Sequence, residues 1–361
     1  MALRGEADVR IRVLRARRDL KTDYEHIVVG LGGIGSAAAY WLARRAGSEV
    51  LGLEQFELGH VRGASQDHSR IIRLSYHTPR YVALAQRAYE AWAEVEAEAG
   101  TELILRTGGL DLWPPNAATP LEDYTSSLEA CDVPFELLGA GEIASRWPQF
   151  RLDDDTVGLW QAASGIALAA RANAAHQELA RSHGAVLRER TPVTSVRAIG
   201  NELEVRTGAG AVRCGKLTVA ADAWTNEVLA PLGVRLPLTV TQEQVTYFSA
   251  ARPADFGPER FPIWIWMDEP SFYGFPVCGE AGPKVGQDVG GRVVTAESRD
   301  FDPDTEALER VESFLRAHLP GALGPVIYTK SCLYTMPPDR DFIIDSLPGH
   351  PNVLVAQGAA H

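Results

Sequence analysis

The chain has 361 residues, of which 45% are hydrophobic and 23% charged, with a formal net charge of -12; this is an ordinary globular composition, long enough for two structural domains. The acidic balance argues against nucleic acid or an anionic membrane as the main partner, and no apolar run approaches the ~18 residues of a membrane span, so small molecules are the expected partners. Cys131, Cys214, Cys278 and Cys332 lie far apart with no C-x-x-C pair, so neither a zinc site nor a disulfide framework is indicated, and a cytoplasmic location fits.

Residues 1–23 carry basic residues from Arg4 to Lys21 without the apolar core of a secretory signal, and are read as a disordered extension. The next stretch, residues 26–54, organises the chain. Ile27, Val28 and Val29 form a β-branched run, and Gly30, Gly32 and Gly35 follow at G-x-G-x-x-G spacing. The first glycine permits a tight turn, the second lets backbone N–H groups approach a pyrophosphate, and the third lets helix and strand pack closely. Residues 36–46 are alanine-rich and stop at Gly47, which predicts a helix whose positive N-terminus faces the phosphates. A strand over 50–53 then delivers Glu54. A carboxylate there can accept hydrogen bonds from ribose hydroxyls and would repel a 2′-phosphate, which favours FAD or NAD over NADP. A glycine turn that binds nothing is the alternative, but strand, turn, helix, strand and acid all occur in order.

Beyond Glu54, residues 59–73 form a polar loop ending in Ser69-Arg70-Ile71-Ile72-Arg73, and residues 81–99 have helical apolar spacing. Strands are expected at 107–113 and 186–196, and helices at 121–131 and 171–183. Residues 202–206 alternate polar and apolar, a turn follows at Gly208-Ala209-Gly210, and residues 212–221 return antiparallel. Residues 237–248 and 263–275 are rich in strand and aromatic signals, 308–318 is helical, and 343–344 and 353–356 are the last strands, the latter apolar enough for the nucleotide sheet. There is no internal repeat. The expected architecture is α/β: a Rossmann-type domain discontinuous in sequence and a second domain of mixed β-sheet plus helix.

At Ser69-Arg70-Ile71-Ile72-Arg73, Tyr273-Gly274-Phe275-Pro276, Lys284-Val285-Gly286 and Ser331-Cys332-Leu333-Tyr334-Thr335, the chain resembles the monomeric sarcosine oxidase and N-methyltryptophan oxidase family, FAD enzymes of the D-amino-acid-oxidase-like group. The likeness runs from Tyr24 to the end. It implies an FAD-binding domain over 24–105, 155–232 and 325–361 and a substrate domain over 106–154 and 233–324.

The resemblance also implies roles. Residues 65–70 would wrap the FAD pyrophosphate and isoalloxazine, with Ser69 and Arg70 as contacts, and Val193 would meet adenine through its backbone. On chemistry alone, Arg70 and Arg73, three apart, read more readily as a solvated helix face. Arg73 matches the residue that pairs with a substrate carboxylate, a task suited to the guanidinium fork. Tyr273 belongs to the substrate site. Cys332 matches the cysteine attached covalently to the flavin 8α-methyl, although a lone cysteine is more often an inert buried thiol. Lys284 matches the lysine where dioxygen reacts; a fixed ammonium there stabilises charge appearing on oxygen, and a surface lysine is the plain alternative.

Two departures stand out. Asp222 replaces a glycine before Ala223-Trp224, and Asp288 replaces a histidine four residues after Lys284. Asp288, if ionised, would favour an ammonium, and Trp264 or Trp266 facing the pocket would favour an apolar group, although both could equally be core; an N-alkyl amino acid bulkier than sarcosine is expected.

The function implied is an FAD-dependent oxidase of secondary amines, N-methyl or cyclic amino acids, which passes a hydride to the flavin and electrons to dioxygen, acting as a monomer without metal. Three alternatives stay open: an NAD dehydrogenase, a flavin amine dehydrogenase with another acceptor, and an inactive flavin-binding remnant. The last is raised by the end at His361, where Gly358-Ala359-Ala360-His361 resembles the loop that leads, in the family, into a Gly-Phe-Lys segment and a closing helix.

Overall fold

A computed structural model describes residues 21–358. The expected N-terminal extension therefore falls outside the described residues except for its last three, and so do residues 359–361 of the expected terminal loop. By packing, the described chain divides into two compact units, one from residues 21–58, 180–236 and 343–357, the other from 59–179, 237–342 and 358.

The first unit is built on an eight-stranded sheet. Parallel to one another at its centre lie β12 (Gly210–Val219), β1 (Asp23–Val29), β2 (Val50–Leu53) and β9 (Val186–Arg188). β10 (Val193–Ile199) and β11 (Glu202–Thr207) continue the sheet as an antiparallel meander onto the first half of β12, while β20 (His350–Gln357) runs parallel to its last residues and carries β19 (Ile343–Leu347). All four residues of β2 are buried, as a parallel strand covered on both faces requires, whereas in β20 Val353 and Val355 are buried and Leu354 between them is exposed. The single strand expected over 186–196 is two strands. Arg190 has φ of 50°, and the backbone N–H groups of Arg190 and Thr191 donate to the carbonyls of Phe56 and Glu54, so the chain turns from a parallel to an antiparallel pairing there.

The second unit holds a nine-stranded sheet and a three-stranded one. The small sheet has β8 (Gly165–Ala167) between β3 (Arg70–Ile72) and β4 (Ile104–Arg106). The large sheet has the order β17-β13-β16-β15-β14-β5-β7-β6, with β18 also on β13; its strands are β5 (Gly109–Trp113), β6 (Glu136–Gly139), β7 (Val157–Gln161), β13 (Thr239–Phe248), β14 (Ile263–Trp266), β15 (Ser271–Phe275), β16 (Lys284–Asp288), β17 (Arg292–Val293) and β18 (Val326–Met336). Residues 59–105, 155–179 and 325–342, expected with the nucleotide domain, pack in this unit, because β3 and β4 pair only with β8 and β18 pairs along the whole of β13.

Side chains alternate across a strand with period two, which gives the large sheet two chemically distinct faces. Leu110, Leu112, Trp264, Trp266, Phe272 and Val285 form an apolar core with Phe314 and Leu315 of the helix Thr305–His318. That helix starts at Asp304, whose side chain accepts from the Ala307 N–H, and ends with Arg316 and His318, in keeping with capping and the helix dipole. Trp264 is 0% exposed and stacks on Phe314 with ring centroids 5.5 Å apart. Both tryptophans are thus core on the helix-covered face, so of the two readings their alternation left open the core one holds and the pocket-facing one does not.

Candidate functional site

In the first unit, Gly30 has φ of +86°, and a Cβ there would lie 2.3 Å from the Ala220 carbonyl oxygen. Gly35 is as constrained, since its Cβ would fall 1.8 Å from the carbonyl oxygen of Gly30. Gly32 is the N-cap of the helix Gly33–Ala46 and supplies no side chain to its first turn. Glu54, 5% exposed, accepts from the N–H groups of Leu31 at 2.9 Å and Phe56 at 3.1 Å, which fixes its carboxylate at the end of β2. Thr191, whose N–H donates to the Glu54 carbonyl at 2.7 Å, leads into Val193, paired with Thr207 at the start of β10. Asp222 has φ of 48°; it adopts the left-handed conformation a glycine would take, which aspartate tolerates better than most residues.

Gly35→Ala is expected to destabilise this turn by more than the ~1–3 kcal/mol typical of overpacking, because the obstructing atom is backbone and cannot rotate away. A thermal melt together with flavin absorbance of the purified variant checks it; an unchanged melting temperature would show that the helix can shift without cost.

In the second unit, residues directly opposite across the large sheet share a face. Register places Asp111, Ile265, Tyr273, Gly286, Val245 and Lys330 in one row. With period two, Lys284 and Asp288 flank Gly286 on that face, and Cys332 and Tyr334 follow Lys330. The polar candidates therefore gather opposite the aromatic core. Gly286 leaves room among them, since a Cβ there would approach the Tyr273 hydroxyl oxygen to 3.0 Å.

Lys284 is 1% exposed, which removes the surface alternative. Its Nζ donates to Asp67 Oδ2 at 3.1 Å and to the Ser69 carbonyl at 2.8 Å, and lies 3.9 Å from the ring centroid of Phe275. Asp67 also accepts from Lys330 Nζ at 3.1 Å and the Tyr247 hydroxyl at 2.8 Å, and Arg70 stands 4.0 Å away. Burial pushes the Asp67 carboxyl up, but Lys284, Lys330 and Tyr247 outweigh it and hold it below the usual range. Burial pulls the Lys284 ammonium down to about 8, helped by Arg70 and opposed by Asp67. At neutral pH the group carries more positive than negative charge. Asp67 itself has φ of 89°, a costly conformation that these contacts hold in place.

The segment before Arg70 lies against β18. Gln66 Nε2 donates to the Ser331 carbonyl at 2.7 Å, while Gln66 Oε1 and Ser69 Oγ are buried with no hydrogen-bond partner among the described residues. Buried polar atoms are rarely left so, and these two are available to a bound group. Arg70, in β3 rather than on a helix face, donates to the carbonyls of Ser69 at 2.8 Å and Ala64 at 2.6 Å. Cys332 is 7% exposed. The hydroxyls of Tyr273 and Tyr334 hydrogen-bond each other, and burial first, with nearby Cys332 and Asp288, raises both above the usual phenol range.

Arg73 and Asp288 are both already paired. Arg73 Nη1 donates to Asp111 Oδ2 at 3.2 Å, with its guanidinium 4.8 Å from the Tyr76 ring centroid. Burial opposes the charge on Arg73, but Asp111, Tyr76 and Tyr124 more than restore it. Asp288 accepts from Arg340 at 3.2 Å. Asp67, Lys330, Tyr247 and Asp111 were not singled out from sequence. Asp67 lies inside the flagged segment 65–70 and Lys330 two residues before Cys332, but only folding brings them to Lys284.

A family profile described as FAD dependent oxidoreductase, DAO, matches residues 25–361. The chain belongs to this family. It is 36% identical over 345 residues to the monomeric sarcosine oxidase of Streptomyces avermitilis, covering 93% of this chain and 88% of that one. It is 31% identical over 340 residues to the N-methyl-L-tryptophan oxidase of Salmonella arizonae, covering 93% and 89%. Among solved structures, the open form of NikD, an amino acid oxidase of nikkomycin biosynthesis, superposes with a TM-score of 0.82 at 26% identity, covering 93% and 89%.

The residues present fit the cofactor of this FAD-dependent family. A side-chain-free turn at Gly30, Gly32 and Gly35 suits a pyrophosphate, and buried Glu54 suits a ribose rather than a 2′-phosphate. Gln66 Oε1 and Ser69 Oγ supply buried polar atoms that need partners. The NAD-dehydrogenase alternative falls with the family. No helix among the described residues is long and apolar enough to cross a membrane.

Proposed function

We propose that the protein is an FAD-dependent oxidase of secondary amines, N-methyl and cyclic amino acids among them. The observation that carries this reading is the buried, charged Lys284 on the same sheet face as Tyr273, Asp288 and Cys332. FAD, when bound, takes two electrons from the carbon beside the amine nitrogen and delivers them to dioxygen, yielding hydrogen peroxide. The protein's part is to bind, orient and supply electrostatics. Lys284, held by Asp67 and the Ser69 carbonyl, presents a fixed positive charge where dioxygen is reduced, and its burial makes that charge worth far more than in water. Tyr273 and Tyr334 line the amine site with neutral hydroxyls, Arg73 and Asp288 bound it with ion pairs, and Ser69 and Arg70 hold the flavin. Cys332 is the proposed point of covalent attachment to the flavin 8α-methyl. In the first unit the glycine turn and Glu54 hold the pyrophosphate and ribose, with the Val193 backbone at the adenine. The same reading has the enzyme a monomer of the cytoplasm, in keeping with four cysteines that form no disulfide.

A peroxide assay of the purified flavoprotein across N-methyl amino acids and cyclic imino acids tests this. Peroxide from at least one secondary amine is expected. Oxidation seen only with an artificial electron acceptor would make it a dehydrogenase, and a yellow protein inert toward every amine would make it a remnant.

A further inference from the structure

From the buried pairing of Asp111 with Arg73, we infer that Asp111 is a specificity-determining residue. It cancels the positive charge of Arg73 at the amine site, so that a carboxylate on the substrate is dispensable. The inference rests on the amine-oxidase reading for the identity of the site, and on three observations for its content.

First, Asp111 is 2% exposed and stands in the same sheet row as Tyr273, two strands away through Ile265. Its side chain thus belongs to the polar face. Second, its Oδ2 accepts from Arg73 Nη1 at 3.2 Å, and the Ser75 hydroxyl hydrogen-bonds it as well. Third, Arg73, Tyr76 and Tyr273 belong to one packed region, since Tyr76 and Tyr273 join Ile71, Leu74 and Ile265 in a single apolar cluster.

A lone guanidinium in such surroundings would be costly to bury, and its first partner of choice would be an anion from solution. Here the anion is supplied by the chain. A ligand carboxylate must displace or share with a carboxylate that is tethered and already desolvated, and the pair as a whole offers no net charge to attract it. The same fork could donate two parallel hydrogen bonds to a carboxylate; Asp111 takes part of that capacity. The substrate class that fits is therefore a secondary amine whose acid group is free, blocked as ester or amide, or absent, with little distinction among them.

Calorimetric titration of the intact flavoprotein with phenylacetate and with phenylacetamide reads this directly, because the two probes differ in charge at nearly constant shape. Wild type is expected to bind them within about tenfold of each other. Asp111→Asn, which keeps the shape and removes the charge, is expected to tighten phenylacetate at least tenfold while leaving phenylacetamide unchanged. The ratio within one sample does not depend on how much of the variant is folded. A wild-type preference for phenylacetate of a hundredfold or more, an unaltered ratio in the variant, or no binding of either probe to either protein would each overturn the inference. Peroxide formation from N-methyl-L-phenylalanine and N-methylphenethylamine, measured in parallel, judges the oxidase reading separately.

Discussion

Lys284→Met is expected to slow reoxidation of the reduced flavin by dioxygen by ~100-fold or more, the scale of losing one preorganised electrostatic partner, about 2.7–4 kcal/mol. Reduction of the flavin by amine should change far less, because negative charge on oxygen appears only in the second half of the cycle. The variant should fold. Asp67 would lose one cation but keep Lys330 at 3.1 Å and the Tyr247 hydroxyl at 2.8 Å, so its charge is not left uncompensated, the situation that makes broken buried pairs so costly. A pH dependence follows in the wild type. Burial brings the ammonium down to about 8, so the charge is present below that pH and lost above it, and the reoxidation rate should fall as pH rises through about 8. Methionine should abolish that step in the profile. Stopped-flow mixing of photoreduced protein with aerated buffer reads both effects, and an unchanged rate would remove Lys284 from the oxygen reaction.

Cys332→Ala is expected to convert a covalent flavoprotein into one that releases its flavin entirely on acid precipitation, whereas the wild-type pellet stays yellow. The thiol is 7% exposed and sits in the middle of β18, paired opposite Glu243, so alanine should preserve the strand. Retained colour in the variant, or flavin that washes out of the denatured wild type, would refute the attachment.

The nucleotide turn was legible residue by residue because its signals are local. Gly30, Gly32 and Gly35 meet steric demands imposed by atoms within one strand-turn-helix unit and the neighbouring strand, and a buried strand such as β2 must be apolar throughout. Asp222 shows the limit of such reading: its substitution for glycine could be seen, but that it would adopt φ of 48° could not.

The polar face of the second unit was legible only in part. Lys284, Tyr273 and Cys332 were found through motifs, yet strand pairing aligns them with Asp111 and loop packing brings Asp67 to Lys284, both from more than a hundred positions away in the chain. The two tryptophans make the same point in reverse. Their alternation established that Trp264 and Trp266 share a face, but which face could be settled only by the helix Thr305–His318 packing there.

By itself, then, the sequence determined the α/β class, the glycine-turn nucleotide site, the choice of acid at its ribose end and the family resemblance, all of which depend on short-range sterics and period. Only the tertiary structure decided the charge states and partners of the buried ions: that Lys284 shares Asp67 with Lys330, that Arg73 is already matched by Asp111, and that Asp288 is held by Arg340. The physical reason is that an ion buried away from water takes its energy from whatever charge stands within a few ångströms, and that distance is set by how loops and strands far apart in sequence pack together rather than by neighbours in the chain.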